Sequence, residues 1–351
     1  MSGEKEPIRV GLVGLGRAGW GMHCPELDTF PEQFRIVAAC DPVKQRRDLI
    51  IDRYPACRTY RRYEDLLLDA DVELVDIATR SGDHFDHALA ALKAGKWTLI
   101  EKPMCLDFED ALKLRAASIK SGNRLFVRHN RRFDPTFLHI REVIASGLLG
   151  EVYDVRGRFG RYQRRDDWQT VKRCGGGMLL NWGPHLIDAA LQLVGMHYRL
   201  VWCEMKRVAA VGDAEDFLRL VLRNNAGLTV DVEVSGGRVM QEPEWTVTGT
   251  RGGLSASNGT LQLRYLDPSR KLPRRRASVR TPPHGSFGTA ETLHWIEKTV
   301  PVAPAAPSGA TRMWDYLHGA IRLNRPYPVT LDQAVEVMRV ITLARKESPL
   351  V

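Results

Sequence analysis

The chain has 351 residues, 44% hydrophobic and 26% charged, ordinary proportions for a globular protein with room for two domains and a large core. No apolar run approaches the ~20 residues of a membrane span, and MSGEKEPIRV at the N-terminus lacks the apolar core of a signal peptide, so a cytoplasmic protein without membrane contact is expected. The net charge of +9 comes from dispersed clusters, KQRR (44–47), RTYRR (58–62), RYQRR (161–165) and KLPRRR (271–276), with no nucleic-acid reader motif. That argues for a solvated basic surface rather than nucleic-acid binding, and leaves an anionic substrate open. Six cysteines without a CxxC pair suggest neither a disulfide framework nor a metal site.

Taken in order, the first part alternates strands and helices. IRVGLVG (8–14), FRIVAACD (34–41), VELVDIA (72–78), WTLIE (97–101) and RLFVRH (124–129) are short apolar strands. Between them lie helical stretches from about Arg17, over 63–70, over 84–95 ending at Gly95, and over 107–122 ending at Gly122. Near-continuous apolar strands separated by helices predict a parallel sheet covered on both faces. Beyond about residue 150 the runs lengthen and partly alternate, joined by Gly and Asn turns, which predicts a largely antiparallel sheet with GGGMLLNWGPHLID (175–188) as its principal helix. Residues 267–285 and 300–309 read as irregular loops, and LDQAVEVMRVITLARKE (331–347) as a final helix.

Gly14-Leu15-Gly16-Arg17-Ala18-Gly19 fits GxGxxG between a strand and a helix. Gly14 allows the tight turn, Gly16 lets backbone approach a pyrophosphate, and Gly19 lets helix and strand pack closely. Asp41 ends the second strand, where an acid binds the ribose hydroxyls of a dinucleotide. Its charge favours NAD, while Lys44, Arg46 and Arg47 soften the repulsion of a 2′-phosphate and keep NADP possible. Lys102, just past the strand WTLI, falls at the carboxyl end of the sheet where ligands sit, and its ammonium suits stabilisation of a reacting oxygen. On spacing alone it is equally well a surface lysine before a turn-forming proline.

The stretch 175–188 is apolar nearly all round, yet Asn181, His185 and Asp188 fall within roughly 60° of one another on a helix. Such a polar row on a buried helix must face a partner or a cleft. A lone His there is usually a satisfied core histidine, but the aligned Asn181 and Asp188 favour His185 as an acid/base oriented by Asp188. Pro184 either kinks the helix or starts it; in the second case Asn181 leaves the row.

GLGRAG, EKP and GGGMLLNWGPHLID, in that order, resemble the Gfo/Idh/MocA family, named for glucose-fructose oxidoreductase, inositol dehydrogenase and a rhizopine catabolism protein. The resemblance implies an N-terminal Rossmann domain (1–128) and a C-terminal α/β domain (129–351) with an open, mostly antiparallel sheet for substrate binding and for assembly into a homodimer or homotetramer. It implies Gly14, Gly16, Arg17, Ala18, Gly19 and Asp41 as cofactor contacts, with Thr79, Arg80, His84, Glu101 and Lys102 beside the nicotinamide and a cis Lys102–Pro103 bond. Lys102 would bind the reacting oxygen and His185 would be the acid/base, while Asn130, Arg131, Trp168 and Trp182 would shape the pocket for a sugar or polyol. Asn181 replaces the Asp of inositol dehydrogenase-like members, Arg80 a Pro, Ser81 an Asn, and Gln169 an Arg found in many relatives. The implied activity is hydride transfer between NAD, or NADP, and a secondary alcohol or ketone. A cofactor-binding regulator without catalysis, or a glycosidase using transient oxidation, are the alternatives.

Overall fold

The computed structural model describes residues 6–280, 288, 290–302 and 309–348. The first half runs β1 (Ile8–Val13), α1 (Cys24–Leu27), β2 (Phe34–Cys40), α2 (Lys44–Arg53), β3 (Arg58–Tyr60), α3 (Tyr63–Leu67), β4 (Leu74–Ile77), α4 (His84–Lys93), β5 (Trp97–Glu101), α5 (Phe108–Lys120) and β6 (Leu125–Arg128). Six parallel strands lie in the order β3-β2-β1-β4-β5-β6. Every residue of β4 and β6 is buried, because helices cover both faces. The order reverses between β1 and β4, so a crevice opens at their carboxyl ends. The basic segment KQRR (44–47), unassigned in the sequence, begins α2.

The second half runs α6 (Pro135–Ala145), β7 (Val152–Phe159), α7 (Met178–Asn181), α8 (Gly183–Val194), β8 (Tyr198–Lys206), β9 (Phe217–Asn224), β10 (Thr229–Ser235), β11 (Trp245–Gly249), β12 (Gly252–Ser257), β13 (Thr260–Leu266), β14 (Trp295–Pro301), α9 (Gly309–Leu323) and α10 (Leu331–Glu347). Eight strands form a sheet in the order β14-β13-β12-β11-β7-β10-β9-β8, antiparallel except where β7 lies parallel to β10. The parallel pair requires a long crossover, and the segment carrying α7 and α8 belongs to it. α10 spans the expected 331–347, opened by a capping box in which Thr330 and Gln333 satisfy each other's backbone amides.

Three expectations change. The helix over 175–188 is two helices: Pro184 sits in the first turn of α8, so α7 closes at Asn181 and a new helix starts at Gly183. The loop expected over 300–309 overlaps β14 at its start, and its residues 303–308 lie outside the described ones; the loop over 267–285 is irregular as far as 280, with 281–285 outside. Helix α9, missed in the sequence, does not stay with the second sheet. Its Trp314 is fully buried and, with Met313, Leu317, Tyr327 and Val329, packs into one core with Ile8, Leu12, Phe34 and Leu99 of the first sheet.

Beneath the crevice lies a buried ionic network. A five-residue π-turn, Gly19–His23, follows the glycine loop and brings His23 against the sheet. His23 Nδ1 donates to Asp76 Oδ2 at 2.8 Å and Nε2 donates to Glu101 Oε1 at 3.0 Å. Arg128 donates to the same Glu101 oxygen at 2.8 Å and to Glu26, whose carboxylate also accepts from Trp314 Nε1 at 2.7 Å. Burial disfavours the imidazolium and Arg128 repels it, but the charge of Asp76 and the hydrogen bonds to Asp76 and Glu101 prevail, raising its pKa from 6.5 to about 9. Because the folded pKa exceeds the unfolded one, the stabilisation is complete below pH 6.5 and disappears as pH rises through about 9. Replacing His23 by Gln is expected to cost about 3 kcal/mol near pH 6, the scale for removing one partner of a buried pair. Denaturant unfolding of both proteins across pH should show the gap closing through about 9; a gap independent of pH would refute the charged imidazole.

Candidate active site

The glycine loop is built to leave space where a phosphate would lie. Gly14 has φ +92°, and a Cβ there would stand 2.7 Å from the Ala78 carbonyl oxygen. A Cβ on Gly19 would stand 2.0 Å from the Gly14 carbonyl oxygen, whereas one on Gly16 would meet no heavy atom within 4 Å. Two glycines are therefore demanded by the protein's own packing and the third by open space above the loop. Asp41 is buried: its carboxylate accepts from Leu15 N and Val43 N, both at 2.9 Å, and from Arg46 Nη1 at 3.2 Å. Arg47 donates to the Asp41 carbonyl at 2.7 Å. The acid thus ties the loop to the second strand while keeping its charge at the crevice edge. Exposed Arg17 and neighbouring Ala18 sit in the same loop. Open space over Gly16 and the terminal acid together fit the adenosine and pyrophosphate part of a dinucleotide.

At the end of β5, Glu101 is buried and its Oε2 accepts the main-chain amide of Lys102 at 3.1 Å. Burial alone would raise the Glu101 carboxyl, yet Arg128, His23 and Lys102 hold it well below the usual carboxylate range. The Lys102–Pro103 peptide is cis. Lys102 Nζ donates to the main-chain carbonyl of Asn181 at 3.0 Å, crossing from the first sheet to the end of α7. An ammonium has three donors, so two remain for a ligand. Burial lowers the Lys102 pKa to about 8; Glu101 opposes this, while Arg17, Arg128 and Arg131 reinforce it.

His185 lies on the first turn of α8, half-buried, with its Nδ1 buried and unpartnered. Burial, then Lys102, Arg131 and His129, push its pKa well below 6.5, so the ring is neutral and can accept a proton. The expected orienting contact from Asp188 is absent. Both Asp188 oxygens accept from Arg132, whose Nη1 also reaches the Pro328 carbonyl at 3.0 Å and Gln333 at 2.6 Å. A buried carboxylate one turn along the helix takes the buried guanidinium because a charged pair satisfies both groups fully, which a neutral imidazole could not. Asp188 therefore clamps α8 to the segment after β6 and to α10.

Among the other expected residues, His84 is buried and contacts backbone carbonyls, Pro103 O at 2.7 Å and Thr79 O at 3.2 Å, so it holds two strand ends together. Thr79 Oγ1 lies 3.2 Å from His87 Nδ1. Arg80 stacks 5.9 Å from the Trp168 ring, and Arg131 stacks 4.3 Å from the Trp182 ring. Asn130 Oδ1 is buried without a partner, as is Nδ1 of its neighbour His129. The amides of Asn181 and Gln169 face each other at 3.4 Å, and Gln169 Oε1 also accepts from Arg165 Nη2 at 2.5 Å. Asn181, Trp182 and Gln169 line a cavity of ≈ 520 Å³ that continues beneath Arg158, Arg161 and Glu244.

Sequence reasoning missed His23, Asp76, Arg128, His129 and Arg132. The available signal was a charged residue inside an otherwise apolar buried strand, Asp76 in β4 and Arg128 in β6, since such a residue needs a buried partner.

Comparison with known proteins accords with this geometry. Residues 8–129 match the model of the oxidoreductase family with an NAD-binding Rossmann fold, and residues 137–255 match the GFO/IDH/MocA C-terminal domain. The uncharacterized oxidoreductase YdgJ of Escherichia coli K12 is 28% identical over 345 residues, covering 96% of this chain and 95% of its own. The scyllo-inositol 2-dehydrogenase (NADP(+)) IolW of Bacillus subtilis is 26% identical, covering 98% and 94%. In fold, the oxidoreductase yvaA of Bacillus subtilis aligns with a TM-score of 0.80 at 22% identity, over 97% of this chain and 96% of its own. No helix among the described residues is long and apolar enough to cross a membrane. With both halves matched in order and the glycine loop, Lys102 and His185 gathered at one crevice, the chain belongs to the Gfo/Idh/MocA family of NAD(P)-binding oxidoreductases.

Proposed function

We propose that the protein is an NAD(P)-dependent dehydrogenase acting on a secondary alcohol or ketone of a sugar, cyclic polyol or sugar derivative. The observation that carries this is the reach of Lys102 Nζ to the Asn181 carbonyl, which sets an ammonium with two spare donors near a neutral His185 whose Nδ1 has no partner. A nicotinamide bound in the crevice supplies the hydride acceptor or donor. Lys102 donates to the reacting oxygen and steadies its negative charge, while His185 takes the hydroxyl proton during oxidation and returns it during reduction. Glu101, fixed by His23 and Arg128, holds the start of the Lys102 segment through its amide. Asn181 cannot exchange protons, so proton transfer rests on His185 without a carboxylate relay. IolW acts on scyllo-inositol with NADP(+), a cyclic polyol within the proposed class. NAD is the favoured cofactor on the charge of Asp41, and Arg46 and Arg47 beside it admit NADP as well.

Lys102→Ala is expected to reduce turnover about a thousandfold or more while changing the cofactor Kd by less than about threefold. Screening polyols, sugars and sugar acids for cofactor reduction supplies the substrate, and a K102A protein of normal rate would refute the assignment. Because the ammonium is the active form, kcat for oxidation should fall as pH rises through about 8, and a rate that instead climbs through that value would make Lys102 the base. For the cofactor, calorimetric titration of Asp41→Asn should shift relative affinity toward NADP by about tenfold, and of Arg46→Ala away from it. Unchanged ratios in both variants would remove these residues from the choice.

A further inference from the structure

Around Lys102 the crevice gathers more positive than negative side chains. Lys102 and Arg131 face the reacting corner, with Arg17 and Arg128 close enough to act on Lys102 electrostatically. The one carboxylate among them, Glu101, is already shared by His23 and Arg128. Asn181, which stands in place of an acid, is a neutral amide facing that of Gln169. Arg17 lies in the glycine loop, where a pyrophosphate would balance it, and Arg128 is consumed by Glu26 and Glu101. Arg131 remains. It is exposed, makes no ion pair with any described carboxylate, and rests against the Trp182 indole at 4.3 Å. Glu244 on the cavity wall feels Arg131, but burial and Asp134 push its carboxyl up and it forms no bridge.

The stack on Trp182 matters because it leaves the planar edge of the guanidinium, with its five donors, free for an oxyanion. Unpartnered polar atoms cluster at the same place: His129 Nδ1, Asn130 Oδ1 and His185 Nδ1 are three of the seven buried orphan side-chain atoms among the described residues. Groups buried without partners are expected where a ligand completes them. The pyridinium charge of the oxidised cofactor would add to the positive field, which strengthens the demand for an anion on the other reactant.

We propose that the substrate carries an anionic group, carboxylate or phosphate, near its reacting carbon, and that Arg131 on its Trp182 platform is the residue that pairs with it. This rests on the oxidoreductase reading of the same site. It narrows the substrate class to sugar acids or phosphorylated sugars and polyols, and it gives a role to the charge that Asn181, in place of an acid, leaves unbalanced.

The test titrates the NAD-loaded protein by calorimetry with matched twins, D-glucuronate against D-glucose and myo-inositol 1-phosphate against myo-inositol. The anionic member of at least one pair should bind about 30-fold tighter, the scale of a charge-assisted hydrogen-bonded pair, and the pair that shows it identifies carboxylate or phosphate. In Arg131→Gln the preference should collapse to within about threefold, and Arg131→Lys should restore part of it. Unchanged thermal melting of the variants would exclude a folding defect. Equal binding of both twins in each pair, or a preference that survives Arg131→Gln, overturns the proposal. Cofactor reduction followed in parallel separates the two readings: an Arg131-dependent charge preference without reduction upholds the anion site and removes the dehydrogenase.

Discussion

Glu101 is the residue on which the site depends, because it is a carboxylate buried at the end of a strand and must be neutralised from several directions at once. His23 arrives from the π-turn behind the glycine loop, Arg128 from the adjacent strand β6, and Lys102 from the next residue in the chain. Each counter-charge belongs to a different part of the crevice, so the ionic contacts also fix the relative positions of the glycine loop, the sheet and the Lys102 ammonium. Desolvating so many charges is expensive and gives little net stability compared with an apolar core. Its product is geometry, since charge pairs with defined hydrogen bonds tolerate less displacement than packed methyl groups.

The polar row on the helix after Gly177 illustrates a division forced by Pro184. A continuous helix would have presented Asn181, His185 and Asp188 to one partner. The break lets the carbonyl of Asn181 turn to Lys102, while α8 carries His185 in its first turn and the buried Asp188 about one turn further on. Asp188 and Arg132 then hold α8 in place without touching the imidazole. The segment combines the proposed acid/base, His185, and a structural clamp, Asp188, within four positions of one another.

Much of this was legible before any coordinates. Near-continuous apolar runs and Gly-terminated helices revealed the doubly wound sheet, and GxGxxG with Asp41 located the loop, because these depend on local chemistry that repeats along the chain. The ionic network was not legible, since His23, Asp76, Glu101 and Arg128 are separated by up to 105 residues and only packing brings them together. Helix α9 escaped notice for the same reason: its apolar residues are buried by the far half of the molecule rather than by neighbours in sequence. The pairing of Asp188 was misread because a stripe on a helix states which residues share a face, and Arg132 competes for that face from another element.

The return of Trp314 to the first sheet has a consequence for how the chain is made. Its indole is fully buried in the N-terminal core and bonds to Glu26, so that core is incomplete until residue 314 has been synthesised. Domains ordinarily complete themselves as they leave the ribosome, N-terminal first. Here the core of the nucleotide-binding half takes a side chain from a helix that is translated well after its own sheet.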